Sequence, residues 1–323
     1  MKRMISLTLA LFLFLSLAFA EGGTSQQTTV LSWHYADRQE GIDLILGNTD
    51  FYDSFSQNDI DYRLQKLNGT LDEMLDYAAA QVLEFSDEEK QGLDQVIQQL
   101  IDICIENGYT LPVPDEITLI KTTMHEEGDA GAYTHGTQIY LGDSITARLS
   151  SDNERAKASL LTLLAHELFH CLTRSNEEFR TAMYSILHFT TQKDDFAIGE
   201  GIHAMMITNP DVEHHNSYAT FEINGEEKQC VVVFVTTKSF EQPGDMFFAF
   251  GATGLVPIDD LDQLYFSGDA ANFDEVFGLN TGYVIDPEET LADNFAYALV
   301  YGENGREYPN PEIITAILDY LRK

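Results

Sequence analysis

The sequence predicts an α+β fold that is mostly helical, with a mixed sheet and a β-rich insertion at about residues 211–282. Long stretches such as 86–107 carry apolar residues at every third or fourth position, which indicates amphipathic helices. Shorter β-branched runs, most clearly residues 226–237, predict strands. No repeat or low-complexity block appears, and 323 residues can bury a core as one large domain or two small ones.

The first twenty residues have the features of a secretory signal peptide. A basic start at Lys2 and Arg3 precedes an apolar run, and Ala18 and Ala20 form an A-x-A cleavage site before Glu21. The apolar run is short for a membrane span and no stop-transfer pattern follows, so an uncleaved anchor is the minor alternative. We therefore predict a secreted, extracellular protein without a membrane span in its mature chain.

The chain is strongly acidic, with 53 Asp and Glu against 18 Lys and Arg and a formal net charge of −35 at pH 7. Such a surface repels nucleic acid and anionic lipid, so neither is expected as a partner. Acidic loops could recruit Ca²⁺, but the cluster at Asp259, Asp260, Asp262 and Asp269 lacks the spacing of an EF-hand. Calcium therefore stays a weak alternative.

Three cysteines are too few for a disulfide scaffold, even in an exported protein. One disulfide with one free thiol remains open among Cys104, Cys171 and Cys230. The stability of the chain must come mainly from its hydrophobic core.

Residues 21–110 are predicted to form a helical N-terminal region, after a polar leader at 21–29. Ser86 and Glu89 form a capping box, and Asn107-Gly108 supplies a stop, which together predict a helix of about twenty residues. An earlier helix around 70–84 is expected to pair with it.

Residues 111–323 are predicted to form the second domain. It begins with a strand at Ile117–Thr123 and a second strand or hairpin arm at 132–143, and Ser151 with Glu154 then opens a helix that runs to about Thr173. The later predicted helices are 177–190, 287–302 with a stop at Gly302, and a final one from Pro311 to Tyr320.

The chemistry lies on the helix that ends near Thr173, where His166-Glu167-Leu168-Phe169-His170 is an H-E-x-x-H motif. Two histidines four residues apart lie on one helix face, so both imidazoles can reach one ion, while Glu167 lies to the side as a general base. The neighbouring residues are uncharged, as in a helix that runs below a cleft. The alternative is a pair of core histidines without metal.

The motif resembles that of the zinc metallopeptidases known as zincins. The metzincin branch needs Gly three residues and His six residues after the second motif histidine, where this chain has Thr173 and Asn176. The resemblance therefore lies with the gluzincins, including thermolysin-like peptidases, whose third ligand is a glutamate on a later helix. It implies a zincin-like fold for residues 111–323, one Zn²⁺, and an edge strand beside the active-site helix.

Two glutamates compete for the role of third ligand. Glu289 and Asp293 match the thermolysin-type E-x-x-x-D pattern, which implies that Glu289 binds zinc and Asp293 accepts the Nδ1 proton of His166. This segment also looks like one found in uncharacterised bacterial secreted proteins. Glu200, in Gly-Glu-Gly, resembles the N-E-G-x-A segment of aminopeptidases, although His203 replaces its alanine. We favour Glu289 and keep Glu200 as the alternative.

Zincins usually pair an extended peptide with the strand before the active-site helix, and Tyr133–Leu141 occupies that place in the chain. An ordinary sheet strand is the alternative. A hydrogen-bond donor for the transition state is also expected, and the candidates are His203, Tyr283, His214 and His215.

The sequence thus predicts a secreted zinc metallopeptidase that hydrolyses peptide or protein substrates with zinc-activated water and Glu167 as the base. Two alternatives remain: a non-catalytic binding protein on a zincin-like fold, and a zinc hydrolase of a non-peptide amide or ester.

Overall fold

The computed structural model describes residues 31–150 and 154–323, and this part of the chain is α+β, as predicted. The predicted signal peptide, the polar leader and the capping residue Ser151 lie outside the described residues. The α-helices are α1 (Arg38–Gly47), α2 (Thr49–Asp53), α3 (Gln57–Leu64), α4 (Leu71–Gln81), α5 (Asp87–Asn107), α6 (Asp143–Thr146), α7 (Glu154–Ser175), α8 (Glu177–Ile186), α9 (Glu200–His203), α10 (Phe247–Phe250), α11 (Phe273–Phe277), α12 (Pro287–Tyr301) and α13 (Pro311–Leu321). The strands are β1 (Trp33–Tyr35), β2 (Val82–Leu83), β3 (Ile117–Thr122), β4 (Ala132–His135), β5 (Gln138–Gly142), β6 (Thr190–Thr191), β7 (Ser217–Ile223), β8 (Glu226–Thr236), β9 (Gly251–Pro257) and β10 (Tyr265–Phe266).

The ends of the long helices follow local signals in the sequence. Ser86 and Glu89 form the predicted capping box of α5, and Gly108 ends it with a φ of 66°, in the left-handed region that glycine enters without steric cost. Helix α12 begins after Asp286, whose side chain accepts a hydrogen bond from the backbone N–H of Glu288. Both helix predictions are confirmed.

The first sheet is mixed. Its strand order is β1-β3-β5-β4, with β2 also paired to β3. Strands β1, β3 and β5 are parallel, whereas β4 is antiparallel to β5 and β2 to β3. The predicted strand at 132–143 is a hairpin, because the chain turns at Gly136, where φ is 55°. Strand β4 is consequently an edge of the sheet.

The mostly helical chain before residue 110 is joined to this sheet. Its strands β1 and β2, which the sequence did not predict, both pair with β3, which follows residue 110. The residues on either side of the predicted domain boundary therefore share one sheet.

The second sheet is antiparallel, with the order β10-β9-β8-β7-β6. Strands β7 to β10 lie within the predicted insertion at 211–282, so this segment is β-rich as expected. Strand β6 extends the sheet from a position just after α8.

Aromatic packing holds α7 against α12. The rings of Phe169 on α7 and Phe295 on α12 lie 5.4 Å apart, and Phe179 of α8 packs on both. All three side chains are fully buried, and burying each contributes about 1.5–3 kcal/mol. This contact sets the spacing between the helices that carry the candidate site.

The three cysteines are free and buried, so the disulfide that the sequence left open is not formed. Burial raises the pKa of the Cys104 thiol to about 11 and that of Cys230 to about 12. Within the described part of the chain, no helix combines the length and the apolar character that a membrane span requires.

Candidate metal centre

Two facing helices bring the motif histidines and a distant glutamate together. His166 and His170 lie one turn apart on α7, with ring centroids 4.9 Å from each other. Glu289, in the first turn of α12, places Oε2 3.1 Å from Nε2 of His166 and 3.7 Å from Nε2 of His170. All three residues are buried, and one ligand atom from each lies within 4.8 Å of the others.

This arrangement fits a tetrahedral zinc ion. Ligand atoms about 2.0–2.1 Å from such an ion are roughly 3.3 Å apart, and the two measured separations lie on either side of that value. Nε2 of His170 is buried and makes no hydrogen bond. A buried nitrogen without a partner is costly, and an ion held by these three residues would supply that partner.

The outer nitrogen of His166 is held by a carboxylate. Its Nδ1 lies 3.0 Å from Oδ1 of Asp293, and Asp293 also accepts a hydrogen bond from Thr281. Burial alone would lower the pKa of His166, but its hydrogen bonds to Asp293 and Glu289 outweigh burial and raise that pKa well above its ordinary value. Nε2 of His166 bonds to Oε2 of Glu289, so an ion bound between them would replace the Nε2 proton while the bond to Asp293 holds the ring.

The outer nitrogen of His170 is held by Glu288, which the sequence analysis missed. Oε1 of Glu288 lies 3.0 Å from Nδ1 of His170, and its oxygens also accept hydrogen bonds from Thr173 at 2.6 Å and Tyr184 at 2.7 Å. Burial would raise the pKa of Glu288, but the bond from His170 and the nearby Arg174 charge lower it to about 2. Glu288 is next to Glu289 in the sequence, but adjacent helical residues point about 100° apart, so the sequence did not indicate that both would reach the histidines.

The general-base candidate points toward the edge strand. Oε2 of Glu167 accepts a hydrogen bond of 2.7 Å from Oγ1 of Thr134 on β4, and Glu167 is buried. A second group of ligand atoms, from Glu167, His170 and Asp211, lies next to the first group. Asp211 could not be predicted, because no motif or spacing in the sequence connects it to α7.

The centre is rich in carboxyl groups, and one cation, Arg174, lies 3.5 Å from Glu288; the carboxyl groups around the two imidazoles belong to Glu167, Asp211, Glu288, Glu289 and Asp293. Burial raises the pKa of Asp211 well above its ordinary value, and the charges of Glu167 and Glu289 raise it further. Buried carboxylates are costly unless a positive charge lies nearby; Arg174 supplies one, and a cation bound at the histidines would supply more.

The remaining candidates from the sequence divide into two groups. Tyr283 lies at the centre, where its hydroxyl donates to Oε1 of Glu289 at 3.2 Å and its ring faces that of His166. Glu200 and His203 are both exposed on the short helix α9, outside the two groups of potential ligands. His214 forms an ion pair with Asp195 instead. The structure thus places Glu289 and not Glu200 beside the motif.

Comparisons of the chain with protein-family models, curated proteins and solved structures return no match. The resemblance to zincins therefore depends on the H-E-x-x-H motif and the E-x-x-x-D segment alone.

Proposed function

We propose that this chain is a secreted zinc-dependent metallopeptidase of gluzincin type, in which His166, His170 and Glu289 hold one Zn²⁺. The observation that carries the proposal is the convergence of three buried donor atoms, one of them without a hydrogen-bond partner, beside Glu167. The carboxylates behind both imidazoles support it, because such partners orient metal-binding histidines.

The residues around the site have separate roles in peptide hydrolysis. A divalent ion held there supplies a Lewis acid that polarises a carbonyl group and makes water more acidic. Glu167 takes the proton of the attacking water and passes it to the leaving amine. Thr134 orients the Glu167 carboxylate through its hydroxyl, and Tyr283 donates a hydrogen bond at the edge of the site. The edge of β4, which pairs with no further strand among the described residues, binds the substrate in an extended form.

Metal analysis and cleavage assays test this proposal. We expect the purified mature chain to hold one zinc per molecule and to cleave an unstructured protein such as casein, with loss of activity in a chelator and recovery on adding zinc.

The Glu167→Gln variant should retain zinc but lose about 10²–10⁴-fold in kcat, since a general base contributes about that much. Glu200→Gln, the same change at the other glutamate, should keep full activity. A zinc-loaded chain that cleaves no member of a broad peptide library, or a fully active Glu167→Gln variant, contradicts the proposal. Cleavage of amides or esters but not peptides would instead favour a non-peptide hydrolase.

A further inference from the structure

A short piece of the chain, residues 209–213, lies across the candidate site; we call it the crossing segment. Asp211 Oδ1 accepts a hydrogen bond of 2.6 Å from the backbone N–H of Thr134, and Glu213 Oε1 accepts one of 2.6 Å from that of Gly136. Thr134 is in β4 and Gly136 is in the turn that follows it, so the two carboxylates contact the strand and its turn from one side. That side is the free edge of β4.

The N–H group of Thr134 is one that an added strand would use, and the N–H group of Gly136 lies in the turn next to it. A peptide that pairs with a sheet edge accepts the outward N–H groups of alternate residues with its own carbonyl oxygens. The carboxylates of Asp211 and Glu213 accept the bonds from these two groups, and Asp211 is buried. The crossing segment therefore occupies the edge of β4 with side chains where a peptide would place its backbone.

The same segment reaches the candidate metal centre. Asp211 Oδ1 lies 3.9 Å from Nε2 of His170, the buried nitrogen without a hydrogen-bond partner. Ligand atoms of Asp211, His170 and Glu167 all lie within 4.8 Å of one another. The Asp211 carboxylate thus bonds to the edge of β4 and also lies beside Glu167 and His170, where the scissile peptide group of a substrate would bind.

The crossing segment is held by a few polar contacts. Arg174 donates to the backbone carbonyl of Asp211 at 2.5 Å, and its Nε lies 3.0 Å from Oε1 of Glu213. Asn209 donates to Oε1 of Glu289 at 2.5 Å. The segment is not a strand of either sheet; these contacts and the two bonds to β4 hold it together with the burial of Pro210, Asp211 and Val212.

There is space for the crossing segment to move into. A cavity of about 790 Å³ lies along it and is lined by Pro210, Val212 and Glu213 together with His135 and Gly136 at the end of β4. A second cavity of about 250 Å³ is lined by Asp211, Val212 and Glu213 on the side of Arg174. The segment therefore borders both cavities.

We propose that residues 209–213 are an internal, reversible inhibitor of the candidate site. Asp211 and Glu213 imitate a bound peptide on β4, and they must leave before an extended substrate can pair with that strand. The effect on catalysis rests on the proposed peptidase function, whereas the competition for the strand edge does not require metal.

The test measures peptide binding to metal-free protein that carries Glu167→Gln to prevent turnover. The probe is fluorescein-labelled oxidised insulin B chain, followed by fluorescence anisotropy. Adding Asp211→Ala and Glu213→Ala should tighten binding at least tenfold. The control adds Asp274→Ala and Glu275→Ala, which remove the same two charges from exposed positions on α11 and should change the Kd less than twofold.

Equal affinity of the Asp211/Glu213 variant and its parent overturns the inference, and so does a lack of binding by every variant. If the variant does not fold, hydrogen exchange of the Glu167→Gln protein decides. Saturating peptide should speed amide exchange in residues 209–213, and unchanged or slower exchange there contradicts the proposal.

The outcomes for the inference and for the proposed function are separable. Tighter binding by the Asp211/Glu213 variant in a protein that cleaves nothing supports an occupied strand edge and refutes the peptidase. A chelator-sensitive peptidase with unchanged peptide affinity in that variant retains its function and refutes the internal inhibitor.

Discussion

Glu288→Gln changes the carboxylate behind His170 to an amide without altering its shape. Glu288 accepts hydrogen bonds from His170, Thr173 and Tyr184 through both of its oxygens. An amide keeps one oxygen as acceptor and loses the negative charge. The variant therefore still orients the His170 ring but makes its Nε2 a weaker ligand.

The expected loss of zinc affinity is about 10–100-fold, the usual effect of removing the partner of a metal-binding histidine. This corresponds to about 1.4–2.7 kcal/mol of binding free energy. The metal-free protein should also lose about 1.5–3 kcal/mol in its free energy of unfolding, because Glu288 makes charge-assisted hydrogen bonds while it is buried.

Zinc affinity is measured by competition with a fluorescent chelator, and stability by urea unfolding of the metal-free protein. Glu178→Gln is the matched control, because Glu178 is exposed on α8 and the substitution is the same. It should leave both quantities unchanged. Zinc affinity of Glu288→Gln within twofold of the unaltered protein would refute the idea that Glu288 supports the ligand.

Three further predictions concern the core and its ionisable groups. Burial would raise the pKa of Glu89, but the bond from Lys121 and the backbone bond at Ser86 lower it. Glu89→Gln should thus lower the free energy of unfolding by about 1–2 kcal/mol at pH 7. In thermal melts the difference from the unaltered protein should shrink as the pH falls below roughly 4.5, because Glu89 then becomes protonated. A difference that does not depend on pH would contradict this prediction. Phe295→Ala should lower the free energy of unfolding by about 3–5 kcal/mol in urea, with Phe295→Leu losing much less; equal losses would refute a role in close packing. The three buried thiols should resist iodoacetamide in the folded protein and react in urea; they belong to Cys104, Cys171 and Cys230. Rapid labelling of the folded chain would contradict their burial.

Much of the fold could be predicted because its helices carry strong local signals. Helix α5 has a capping box and a terminal glycine, and α12 begins at proline and stops at Gly302. The short strands β1 and β2 were not predicted, since two or three residues are too few to show the apolar/polar alternation of a strand. Their pairing with β3 depends on contacts between distant parts of the chain.

The candidate site divides in the same way. His166 and His170 were predicted because a spacing of four residues brings two side chains together on any α-helix. Glu288 and Asp211 were missed, because each meets His170 only after separate parts of the chain have packed together. The spacing of residues along the chain does not predict contacts of this kind.

By itself, the sequence determined that one helix presents two imidazoles and a carboxylate in a set arrangement, since helical geometry is local. Only the tertiary structure shows that Glu289, and not Glu200, lies beside the two histidines. Packing of Phe295 against Phe169 brings α12 alongside α7 and places Glu289 at the histidines, while Glu200 stays on the surface. The physical reason is that convergence of distant carboxylates depends on how whole helices pack, and apolar burial drives that packing.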